Sequence, residues 1–270
     1  MRREEGNVDN EKRGKLLLLA ALVALPIFIF KIVSRETYPV WRIFVNSLVY
    51  FGVTFVGLLW ALNFQVKKKS FLYIFQASLF ILSEYLFVEF FFFQKFSRIY
   101  EAFILLFLMI AVFFANYFVF LMVNVLNVNQ FKPIPLAQVG RTISYLSSIF
   151  MIYFLTFSLI ASGLPVYISL PAILLAFFLI VSLHYINIDL EGKELLRKSF
   201  VTTLIMAVLL VAVMFVGNMH EILSFAPVVG YFLCVNVVTH EKISEGYVKS
   251  FWLYIFFLIL SSVLIFILNI

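Results

Sequence analysis

The chain has 270 residues, 64% of them apolar and only 13% charged, against roughly 45–50% and about 25% in an average soluble domain. A water-soluble fold of this length cannot hide so much apolar surface, so the soluble classes are excluded. The net charge of +6 does not point to nucleic acid, because the basic residues are dispersed over the ends of apolar runs, where topology and anionic headgroups account for them.

Residues 1–15 alternate acid and base without apolar periodicity and are expected to form a disordered cytoplasmic tail. Residues 16–270 are expected to form a single transmembrane domain. It reads as nine apolar stretches, at about 16–33, 40–64, 70–94, 99–127, 141–162, 165–187, 200–216, 220–238 and 249–269. A spanning helix needs about 20 such residues and bonds its own backbone groups inside hydrocarbon. The runs are continuous and lack the alternation of a barrel. The fold class is therefore all-α, a polytopic integral membrane helix bundle of about nine transmembrane helices.

The first run is longer than a signal-peptide core and is followed by Lys31 and Ile32, not by a small-residue cleavage site, so it reads as a retained helix. The seventh and eighth runs are joined only by Gly217, Asn218 and Met219. The alternative there is one broken or re-entrant segment.

Orientation follows from the positive-inside rule. Fifteen of the twenty basic residues fall on one set of breaks, including Lys67 to Lys69 and the Lys193, Arg197 and Lys198 group. The opposite set holds Lys31, Arg35, Arg42, Lys95 and Arg98. The N-terminus is therefore expected in the cytoplasm and the C-terminus, at Ile270, outside. Asn-x-Ser/Thr acceptors are absent, which makes a prokaryotic cytoplasmic (inner) membrane the default location.

Motifs for chemistry are near misses. His220-Glu221 and His240-Glu241 resemble the start of a zinc-binding helix, but Ser224 and Ser244 stand where the second His is needed. Cys234, the single cysteine, can form neither an intrachain disulfide nor a thiolate cluster. No catalytic, cofactor or metal residue is assigned, and no cofactor is expected.

Depth is more informative than motif. A charged side chain at mid-bilayer costs about 2.5–3.5 kcal/mol on insertion scales, so intramembrane ionisable groups mark function by default. Counting ~1.5 Å per residue from Ser70, Glu84 lies ~21 Å along the third span, roughly 9 Å below the outer boundary of a ~30 Å core. Arg42, Glu89 and Glu101 share a shallower outer level, and Asn46 matches Glu84. These five residues, on three consecutive spans, form the candidate polar cluster. Glu84 is the deepest and needs a proton, a hydrogen bond from Asn46 or Ser83, an ion pair with Arg42, or a water-filled cavity. A second level, counted within about 10 Å of the inner boundary, holds Gln76, Asn116, His184 and Asn236.

Pro227 and Gly230, near the middle of the eighth span, form the candidate helix break, since carriers bind substrate where a helix is interrupted. Matched interruptions in two halves are absent. Glycine is scarce, 10 residues, whereas phenylalanine is abundant, 35 residues; sliding helices use more glycine, and so much aromatic surface needs lipid or a partner. The leading expectation is a noncatalytic subunit, scaffold or assembly factor. It would contact membrane lipid and either a membrane-protein partner or a second copy of itself. A small-solute or ion transporter using Glu84 is the alternative, and an intramembrane enzyme comes third.

Overall fold

The computed structural model describes residues 2–34, 38–92, 102–131, 136–214 and 220–240. Among these the structure is helical without strands: α1 (Arg2–Ser34), α2 (Val40–Ala61), α3 (Lys68–Phe87), α4 (Ala102–Phe131), α5 (Ala137–Ala161), α6 (Val166–Asn187), α7 (Gly192–Met214), α8 (His220–Leu223) and α9 (Phe225–His240). Helix α3 continues into a single π turn, Val88–Phe92. Seven helical stretches are long and apolar enough to cross a membrane: Val40–Ala61, Lys68–Phe92, Phe103–Asn129, Ala137–Ala161, Val166–Asn187, Gly192–Met214 and His220–Val238. They correspond to the second through eighth runs of the sequence. The ninth run, 249–269, lies outside the described residues.

Helix α1 begins at Arg2, so the charged segment expected as a tail continues the first helix. Local pairing accounts for part of this. Lys15 Nζ lies 2.8 Å from Asn63 Oδ1 in the α2–α3 turn and 5.4 Å from the Trp60 ring, and it pairs with Glu11 one turn earlier at 2.6 Å.

The chain divides into two compact units, residues 1–147 and 148–270. In the first, α1 packs on α2 and α4, and α3 packs on α2 and α4. Helix α3 is the central element: 72% of its apolar window is buried, against 22% for α2 and for α4. Its polar side chains are correspondingly partnered. Gln76 Nε2 donates to the Ser144 carbonyl at 3.1 Å and lies 3.0 Å from the Ser144 hydroxyl of α5, which donates back to Gln76 Oε1 at 3.1 Å. Amides and hydroxyls at this depth hold helices together because hydrocarbon offers them no other partner. At Gly57 the Leu19 side chain of α1 packs so closely on the α2 backbone that a Cβ would fall on it.

In the second unit, α7 packs between α6 and α9. Tyr185 of α6 and Thr202 of α7 share a buried hydrogen bond of 2.8 Å, and the His184 ring meets the Tyr231 ring edge-on at 5.8 Å. A Cβ on Gly230 would lie 2.9 Å from Leu209 Cδ1 and 3.4 Å from Met206 Cα, so α9 presses directly on the α7 backbone there. Gly230 therefore sits inside an unbroken helix as a close-approach residue. The chain bends earlier, at Ser224, whose hydroxyl donates to the His220 carbonyl at 2.7 Å. Pro227 follows in the first turn of α9, where a missing N–H costs little.

Candidate functional site

Arg42 and Asn46 lie one turn apart near the start of α2, and Tyr85 and Glu89 one turn apart at the end of α3. The i, i+4 spacing puts each pair on one helix face. Because α2 and α3 run antiparallel through a short turn, the two faces meet at the same end of the unit. The π turn contributes to this arrangement: one extra residue in the ring re-aims the helix end, and π turns recur at functional sites for that reason.

The resulting cavity has a volume of about 300 Å³, room for about ten waters at about 30 Å³ each. Arg42, Asn46, Tyr50, Tyr85 and Glu89 line it, with Tyr38 at the chain entry to α2 and Pro26 and Ile27 from α1. Its polar atoms form a chain. Asn46 Nδ2 donates to the Tyr85 hydroxyl at 3.3 Å, and that hydroxyl donates to Glu89 Oε1 at 3.2 Å. The Tyr50 and Tyr85 rings stack with centroids 4.8 Å apart, and the Arg42 guanidinium lies 4.7 Å from the Tyr38 ring centroid, within cation–π range. Glu89 is only 4% exposed. The site thus offers a cation, a carboxylate, an amide and three phenol rings around one small space.

The structure places three of the five cluster residues, Arg42, Asn46 and Glu89, around this cavity. Glu84 is not among its lining residues. Its carboxyl lies beside the Asn116 amide of α4, and among the described residues Glu84 Oε2 and both amide atoms of Asn116 are buried without a partner of hydrogen-bond geometry. Ser83, a partner considered for Glu84, instead donates to the Phe80 carbonyl at 2.7 Å. Asn116 therefore stands at the level of Glu84, ~22 Å from the end of α4 at Phe131. Glu101 lies outside the described residues.

Sequence reasoning missed the three tyrosines. Tyr38, Tyr50 and Tyr85 are ordinary interfacial aromatics by composition, and only the Tyr85–Glu89 and Arg42–Asn46 spacings carried a hint of a shared face. Among the described residues no cluster of three or more His, Cys, Asp or Glu is placed to hold a metal ion. Comparison with protein-family models, curated proteins and solved structures finds no match to this chain. The geometry of the two units is consequently the whole basis for a functional reading.

Proposed function

We propose that the chain is a noncatalytic integral membrane protein that crosses a prokaryotic cytoplasmic membrane nine times, N-terminus inside, and recognises a small zwitterionic molecule in the Arg42–Glu89 cavity near the outer surface. The observation that carries the reading is the cavity itself. A guanidinium and a carboxylate line one space of about 300 Å³, and a solute bearing both charges satisfies both at once. The planar guanidinium suits a carboxylate or phosphate. Glu89 and the phenol rings suit an ammonium group, through charge and through the ring faces. The split of basic residues supports the orientation, since it puts Arg42 on the sparsely basic side.

The test is thermal stabilisation of the purified full-length protein by a panel of zwitterions: free amino acids, glycine betaine and phosphocholine. At least one should raise the melting temperature in the parent and not in Glu89→Gln, which keeps an acceptor for Tyr85 but removes the charge. Stabilisation by simple anions alone, or none by any member, would defeat the reading. Orientation is checked separately by placing Lys68→Cys in a Cys234→Ser background. The new thiol should resist an impermeant maleimide in intact cells and react after permeabilisation.

Transport of that solute is the second reading, favoured by the buried, incompletely hydrogen-bonded Glu84–Asn116 pair on another face of α3. A buried carboxyl able to exchange a proton or counter-ion is what coupled flux requires. Glu84→Gln should then abolish ion- or pH-coupled flux in proteoliposomes while the protein remains folded. Unchanged flux would remove Glu84 from the mechanism.

A further inference from the structure

We propose that the groove between α7 and α9 is a binding site for an anionic glycerophospholipid, with the phosphate on Arg197 and one acyl chain along the groove. The proposal concerns the second unit alone and stands independently of the zwitterion cavity.

The groove encloses about 420 Å³. On α7 its stripe runs Arg197, Val201, Ile205, a spacing of four that keeps one face of the helix in line. From Arg197 to Ile205 the stripe extends ~12 Å, comparable with the depth of one leaflet of a ~30 Å core. Its facing wall on α9 is Leu233, Cys234, Val237 and Val238. The contact of Gly230 with Met206 fixes the antiparallel register, so Val237 and Val238 stand near Arg197 and Leu233 lies deeper. Val201 and Ile205 are 48% and 38% exposed, so the groove opens sideways, where a lipid would enter.

Polarity is graded along the groove, as in an amphiphile. Both basic side chains, Arg197 and Lys198, stand at one end and the remainder is almost wholly aliphatic. Lys198 Nζ is held by Glu194 at 2.8 Å, which leaves that pair neutral. Arg197 is exposed and has no ion pair or hydrogen-bond partner among the described residues. Lys193 occupies the same stripe one turn earlier. Lys193 and Arg197 therefore follow the groove's stripe beyond the neutral Glu194–Lys198 pair, with Asp189 and Glu191 just before α7, and the Arg197 guanidinium is the cation that a phosphodiester with a neutral headgroup matches. A choline or ethanolamine headgroup would bring its own cation against Lys193. Arg197 also suits phosphate specifically, through paired N–H donors.

The sole cysteine of the chain, Cys234, lies in the groove wall and reports occupancy directly. Full-length protein in a neutral detergent is treated with a membrane-permeant maleimide, alone, with dioleoyl phosphatidylglycerol, or with dioleoyl phosphatidylcholine. Phosphatidylglycerol at some ten times its Kd should slow labelling about tenfold, while phosphatidylcholine should leave the rate largely unchanged. Arg197→Ala should lose the protection and Arg197→Lys should keep part of it, with both variants monodisperse. The proposal is overturned if the two lipids protect equally, if neither protects, or if Arg197→Ala is protected like the parent.

Discussion

The recess on α2 and α3 is lined by groups that hydrogen-bond one another, whereas the recess on α7 and α9 is walled by aliphatic side chains with charge at one end only. Both lie among helices apolar enough to cross a membrane, where buried polar groups need partners. In the first, Asn46, Tyr85 and Glu89 meet that need by converging around a space lined by one guanidinium and one carboxylate. In the second, polarity is graded along the groove, with Arg197 and Lys198 at one end and Val201 and Ile205 beyond them. Convergent polarity is what the proposed zwitterion site needs, and graded polarity what the proposed lipid site needs.

The strongest way to break this comparison is to separate α7 from α9. Gly230→Leu would force a side chain into Leu209 and Met206, with an expected destabilisation of about 1–3 kcal/mol. Thermal unfolding in detergent should show it. Phosphatidylglycerol protection of Cys234 should be lost as well, while ligand stabilisation through the Arg42–Glu89 cavity persists. If both recesses fail together, they do not act as separate sites.

An effect of similar size, confined to binding, tests charge matching in the first recess. Arg42→Ala should weaken binding of any zwitterion that stabilises the parent by about 1.5–3 kcal/mol, the range for hydrogen bonds to charged groups. Titration calorimetry measures it. Arg42→Lys should recover only part of the loss, because an ammonium lacks the paired donors.

The Glu84–Asn116 pair gives a prediction of opposite sign. Glu84 and Asn116 are buried side by side, with Glu84 Oε2 and the Asn116 amide short of well-formed hydrogen bonds; replacing both with apolar groups of similar size is neutral or favourable, whereas removing one leaves the other buried alone. Glu84→Leu with Asn116→Leu should therefore raise stability by about 1 kcal/mol, while either single change should lower it. Destabilisation in the double variant would mean that the pair holds water or an ion, and would strengthen the transport reading.

The smallest effect lies outside both recesses and serves as a control. The Lys15 ammonium holds the Glu11 carboxyl below its ordinary 4.5, first through a hydrogen bond and then through charge. A carboxyl with a depressed folded pKa stabilises fully above its unfolded value and loses that contribution as pH falls through the folded one. Amide exchange around Glu11 and Lys15 in α1 should accelerate slightly below pH 4.5, and both recesses should be indifferent to that change.

Residue type and order alone determined that the chain is helical and apolar enough to cross a membrane, because backbone groups in hydrocarbon must bond within their own segment. Run length located seven stretches that the structure also shows as helices long enough to span. Sequence counting along the axis also put Arg42 and Glu89 at one level, since rise per residue is fixed. Which face each residue turns to a neighbour was not fixed in this way. Glu84 and Tyr85 are adjacent in sequence, yet a rotation of about 100° per residue sends one toward Asn116 and the other into the cavity. Only the packing of α3 against both α2 and α4 decided that division. The same holds for the groove: the basic residues of α7 are legible in the sequence, but their aliphatic opposite wall exists only because Gly230 lets α9 lie against Met206.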